Sequence, residues 1–100
     1  MLYTSINTIT VGDVTIIPAV AGQRWIIYQA LFRPTGLQTL TFRSGANLLL
    51  GPFEISSLSW LTLPFTGIGW WQGGLGEAFI INKSDTDRLS GTVVFNTYTT

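Results

Sequence analysis

The chain has 100 residues, no cysteine, no histidine, and five basic residues against five acidic ones, a formal net charge of zero. That length fits one domain, the missing cysteines exclude disulfides and thiolate metal sites, and the missing histidines remove the most usual general base and metal ligand. No basic cluster is present to track a phosphate backbone, so no nucleic-acid partner is expected.

Charged residues make up 10% of the chain, against about 25% in an average domain. Size scaling gives a folded monomer of this mass about 5,600 Å² of surface, which ten charged side chains cover thinly. A neutral, charge-poor exterior tends to associate, and an obligate oligomer is expected. The plain alternative is a soluble monomer with a Thr/Ser-rich surface.

Taken in order, residues Met1 to Thr10 alternate loosely with strand-prone types. Gly12-Asp13 reads as a turn, and Val14 to Ile17 as a short strand stopped by Pro18. This opening, residues 1–20, fits a strand of the domain's own sheet or an arm on a neighbouring subunit. Residues 21–100 read as a single β-sandwich domain. Ala21-Gly22-Gln23 is a turn, and Arg24 to Arg33 (RWIIYQALFR) is the longest apolar run. Its β-branched and aromatic content predicts a strand buried on both faces for part of its length.

Pro34-Thr35-Gly36 is a strong turn signal. Leu37 to Arg43 then alternates, with Gln38, Leu40 and Phe42 on one face and Thr39, Thr41 and Arg43 on the other. Such a strand is wet on one side. After the turn Ser44-Gly45-Ala46-Asn47 come Leu48 to Leu50, with Gly51-Pro52 expected to break them. Phe53 to Ile55 and Leu58 to Leu63 are two more short strands. Gly67 to Asn82, GIGWWQGGLGEAFIIN, holds five of the eleven glycines and two of the four tryptophans. It reads as a glycine-rich loop that plants two indoles and feeds a strand from Glu77 to Asn82. Lys83 to Arg88 is a polar connection. Leu89 to Tyr98 closes the chain, with Gly91 marking a bulge or a close backbone approach. About eight short strands with frequent turns and no helix predict an all-β antiparallel sandwich or jelly roll.

Few residues suggest chemistry. Glu54 and Glu77 would serve glycoside cleavage only at a fixed separation, and a capped turn or ion pair explains them more simply. Asp85 and Asp87 supply two of the six to eight oxygens that calcium wants. The glycines of Gly67 to Gly76 lack the following helix and the lysine of a phosphate cradle. Neither a cofactor nor a metal is expected, and no enzymatic activity. Trp25, Trp60, Trp70 and Trp71 suit core filling, interface anchoring or sugar stacking. With Gly76, they are the structural and interface candidates. No run approaches the roughly 20 apolar residues of a membrane helix, so no membrane partner is expected. The start of the chain does not read as a signal peptide, and synthesis in the host cytoplasm is expected.

The series AGQRWIIYQALF, LTFRSG, a Gly-Pro, a Leu-Pro, GWWQGGLGEAFIIN and LSGTVVFNTYT, in that order, resembles a group of small tailed-phage structural proteins. The resemblance covers Ala21 to Thr99 and leaves out the opening segment, where a capsid-contacting arm would lie. It implies a β-sandwich or jelly-roll virion component. The leading expectation is a capsid cement (decoration) protein on the virion's capsid surface, with itself, as a homotrimer, and the major capsid protein as partners. The alternative is a tail or fibre-associated component that binds a receptor or glycan.

Overall fold

Turn residues cut the chain into nine strands among the residues that the computed structural model describes, 1–57 and 60–99. They are β1 (Leu2–Thr8), β2 (Gly12–Ile17), β3 (Gln23–Pro34), β4 (Gln38–Ser44), β5 (Asn47–Ile55), β6 (Leu61–Leu63), β7 (Trp71–Gln72), β8 (Phe79–Lys83) and β9 (Leu89–Thr99). Of the strand expected over 58–63, Leu58 and Ser59 lie outside the described residues, and Leu61–Leu63 is β6.

The topology follows from doubling the chain back at the β4–β5 turn. That lays β4 on β5, β3 on β6, β2 on β8 and β1 on β9, all antiparallel. Rolling the doubled ribbon around the core then brings β9 beside β3 and β8 beside β4. Two sheets result. The first is ordered β1-β9-β3-β6, with β7 also on β3, and the second β2-β8-β4-β5. This is the strand order of a jelly roll, the all-β sandwich expected from the alternation.

The core is the meeting of the two inner faces. The first sheet contributes Ile6, Trp25, Ile27, Ala30, Phe32, Leu63, Leu89, Val93 and Phe95. The second contributes Ile17, Leu40, Phe42, Ile55, Phe79 and Ile81. Phe42 is the hub, its ring centroid 4.8 Å from Phe32, 5.3 Å from Trp71 and 5.7 Å from Phe53. Offset and tilted ring pairs of this kind add about 0.5–1.5 kcal/mol each beyond their area.

Four details depart from the sequence reading, the first being that Gly12 and Asp13 are not a turn but the start of β2. The RWIIYQALFR strand is buried on one face, not two: Trp25, Ile27, Ala30 and Phe32 point inward, and Ile26, Gln29 and Leu31 lie on an outer face that the described residues cover only in part, with Gly69 against Ile26. Gly51-Pro52 does not end a strand, because β5 runs through it from Asn47 to Ile55. β5 is the last strand of its sheet, where a missing N–H need not break a ladder, and register shifts against β4 absorb the irregularity. β8 begins at Phe79 rather than Glu77 and extends to Lys83. The opening segment pairs within the chain: β1 lies along β9, β2 lies along β8, and Ile6 and Ile17 enter the core. No helix among the described residues is long and apolar enough to cross a membrane.

Candidate functional site: the glycine–tryptophan loop and the outer face of the first sheet

After β6 the chain runs antiparallel down the free edge of β3. Backbone N–H groups of Thr66, Trp70, Gly73 and Gly76 donate to the carbonyls of Tyr28, Ile27, Trp25 and Gln23 at 2.7–3.0 Å. The loop is therefore a strap that closes a sheet edge. Its N–H groups at these positions are spent on β3. Gly73 is required by contact: a Cβ there would lie 2.2 Å from the Trp25 indole. Gly76 has φ of +69° and open space around it, so its constraint is purely of the backbone.

The strap divides its two tryptophans. Adjacent strand residues point to opposite sides. Trp71, in β7, packs on Phe42 and on Phe79 at 5.9 Å. Trp70 faces outward, 44% exposed, and its indole N–H donates to Pro64 O at 2.7 Å. Trp60 is 48% exposed, donates to Ser57 O, and carries the Arg33 guanidinium 4.3 Å above its ring. Trp25 is only 2% exposed, and its indole N–H donates to Glu77 O at 2.9 Å. The four candidates thus split into two core anchors and two edge residues.

Glu77 is the residue whose role the sequence did not single out. Its Oε1 accepts the Ser44 hydroxyl at 2.7 Å and its Oε2 accepts Asn47 Nδ2 at 3.0 Å. Ser44 Oγ in turn accepts the Gly74 N–H, and Gly45 N–H donates to Ala78 O. The carboxylate clasps the strap, which belongs to the first sheet, to the β4–β5 turn of the second. Glu54 pairs with Thr39 at the other end of β4 from Ser44. The β4 residues that they neighbour, Thr39 and Ser44, are five positions apart, about 17 Å along the strand.

Charge is unevenly distributed. β1, β3, β6, β7 and β9 together hold two arginines, Arg24 and Arg33 near the ends of β3, and no carboxylate. The outer face of the second sheet carries an ion pair, Arg43 to Asp13 at 2.5 Å, with Asn82 donating to the same carboxylate at 2.8 Å. Asn82 and Arg43 hold the Asp13 carboxyl below its ordinary range. On the first sheet's outer face a hollow of about 270 Å³ is lined by Gln29, Ala30, Leu31, Thr62, Thr92 and Val94. Beside β3, Ile68 stands 91% exposed at the tip of the strap.

At the connection between β8 and β9, Asp85 Oδ1 accepts the Asp87 N–H, which makes a closed turn. No group of three or more metal-ligating side chains gathers among the described residues. Lys83 continues the inward alternation of Phe79 and Ile81 and is 1% exposed. Its Nζ donates to the carbonyls of Asp85 and Asp87 at 2.7 and 2.9 Å. Burial lowers its pKa from 10.5, against the weaker opposing pull of the Asp85 and Asp87 charges. The unfolded chain then holds this proton to higher pH than the folded one. Between the lowered pKa and 10.5, unfolding takes up a proton, so stability from this group rises with pH. Below that window both states are charged and the slope vanishes. The stability difference between the native protein and Lys83→Met is expected to shift in favour of the native protein as pH approaches 10.5. Urea titrations across the alkaline range read this directly, and a pH-independent difference would contradict it.

No known protein family, curated protein or solved structure matches the chain.

Proposed function

We propose that the chain is a structural protein of a tailed-phage virion, a cement protein that trimerises and binds the major capsid protein on the head shell. The observation that carries this reading is the ordered motif series, whose pieces fall on the elements that build the jelly roll. AGQRWIIYQALF is the turn and β3, LTFRSG is β4 and its turn, GWWQGGLGEAFIIN is the strap and β8, and LSGTVVFNTYT is β9. The outer face of the first sheet, without a carboxylate in its strands and with only Arg24 and Arg33 near the ends of β3, supports it as well. A protein that binds once on a repeating shell needs broad neutral contact more than a pocket. Two standard interfaces would remove about 1,600 Å² of the 5372 Å² that the chain exposes alone.

Light scattering on the purified protein is expected to give the mass of three 11.0 kDa chains, and sedimentation with assembled capsids is expected to saturate. A monomer at micromolar concentration that stays in the supernatant would overturn the reading. A second reading, a tail or fibre component that binds a glycan, draws on the exposed rings of Trp60 and Trp70. Both indole N–H groups are already committed to backbone carbonyls, and one face of Trp60 is covered by Arg33. Tryptophan fluorescence that responds to one sugar in a panel would favour this second reading over the first.

A further inference from the structure

We infer that the outer face of the first sheet is the self-association surface, with the Ile68 tip of one protomer seated in the Leu31–Val94 hollow of the next. The inference rests on the self-assembly in the reading above and adds the surface that performs it.

The argument begins with the composition of β3. Its apolar run has the density of a strand covered on both faces, yet the described residues cover the outer one only in part, with Gly69 against Ile26. Ile26 and Leu31 are left on the outer side, with Val94 paired to Gln29 across the β3–β9 ladder. A partner would supply the remaining cover. The strands of this sheet, at a rise of about 3.3 Å per residue and a spacing of about 4.8 Å, make a face of about 550 Å². The projecting strap enlarges it toward the about 800 Å² per partner of a standard interface.

The occupant is a second copy because the chain carries an uncharged knob to match this uncharged hollow. The five strands of this sheet bear no carboxylate, so seating the strap tip of another copy on the face leaves no buried anion without a partner, the costly outcome for a charged surface. Arg24 and Arg33, near the ends of β3, stay at the rim. An acidic or phosphate-bearing partner would leave the apolar centre between them unmatched. The chain also carries both halves of a contact. Ile68 is held in water by a loop that is itself fixed: Thr66 and Trp70 N–H bond to β3, Gly69 N–H bonds to Thr66 O, and the Trp70 indole bonds to Pro64 O. A mobile loop could fold such a side chain back, and this one cannot. The hollow is uncharged, open and unfilled by the chain's own side chains. Knob and hollow occupy different positions, so each protomer gives one and receives one. Such a heterologous contact closes into a ring when its rotation permits.

The test compares masses by light scattering over a concentration series for the native protein, Ile68→Asp and Leu31→Asp, with Ile80→Asp on the second sheet's outer face as the control. Ile68 is so exposed that its replacement leaves the monomer fold unchanged, which circular dichroism verifies. Both first-sheet variants are expected to weaken association by about 30-fold or more, as central contacts do, while Ile80→Asp assembles normally. The double variant Ile68→Lys with Leu31→Asp places opposite charges on knob and hollow and is expected to recover assembly at low salt. A native oligomer unaffected by either single variant would overturn this surface and leave self-assembly standing. Dissociation by only one of them would overturn the seating of the knob in the hollow. A native protein that is monomeric throughout would remove the self-assembly itself.

Discussion

Gly91→Ala is expected to destabilise the fold by about 3 kcal/mol or more, the sum of a backbone conformation that costs about 1–3 kcal/mol in any other residue and an overpacking cost of similar size. Gly91 lies in β9 between β1 and β3, opposite Ile6 on one side and Phe32 on the other. Its φ is +156°, and a Cβ there would lie 1.8 Å from Leu31 O and 2.9 Å from Leu31 C. The obstacle is the backbone of the central neighbour, which cannot swing aside as a side-chain tip can. Either β9 must leave β3 locally or the whole ladder must shift. Because β9 joins the two longest runs of pairing in the first sheet, local retreat exposes the Leu89 and Val93 side of the core. For a domain of this size about 3 kcal/mol corresponds to a fall in Tm of roughly 12–24 °C. Thermal unfolding followed by circular dichroism gives the answer, and a native Tm in the variant would mean that the strands separate at no cost.

The second large effect is expected at Glu77. Glu77→Ala removes two charge-assisted acceptors and leaves the Ser44 hydroxyl, 3% exposed, and the Asn47 amide without their partner. Hydrogen bonds to ionised groups contribute about 1.5–3 kcal/mol, and an abandoned buried donor adds its own desolvation cost. About 2–3 kcal/mol is expected in all, with the strap loosened from the β4–β5 turn. Glu77→Gln keeps the shape and one carbonyl acceptor and should cost less than half as much. A double-mutant cycle of Glu77→Ala with Asn47→Ala should give a coupling above about 0.5 kcal/mol. Additive effects would mean that the clasp is not a unit. Chemical denaturation with tryptophan fluorescence suits the measurement, because Trp25 binds Glu77 through its indole N–H.

These two sites differ in how far the sequence discloses them. A glycine inside an otherwise apolar strand already signals close backbone approach, and Gly91 meets Leu31 O as that signal implies. The jelly roll itself was legible because period-two alternation and frequent turn residues are local properties. Gln38, Leu40 and Phe42 are buried on one face, as their spacing requires. Glu77 was not legible in the same way. Its partners Ser44 and Asn47 are 33 and 30 residues away, and only the rolled topology brings the β4–β5 turn to the strap. Lys83 had a signal that its chemistry masked: counting by twos from Phe79 and Ile81 points it inward, while its charge and the polar residues after it suggest a solvated turn. Trp70 and Trp71 had to face opposite ways, but which one enters the core depends on where β7 meets β3.

The way the chain ends are arranged governs how this body bears load. β1 starts at Leu2 opposite Phe95, and β9 finishes four residues beyond at Thr99, so both ends leave from the same side of one ladder. Interstrand bonds in an antiparallel pair lie perpendicular to the strands. Tension drawn through the two ends therefore falls on a single rung and parts the ladder like a zip, from the Leu2–Phe95 pair toward Thr8–Leu89. Force directed along β9 instead slides it past β3 and strains all of their rungs together. The β3–β9 ladder therefore resists sliding along its length far better than the β1–β9 ladder resists peeling from its end.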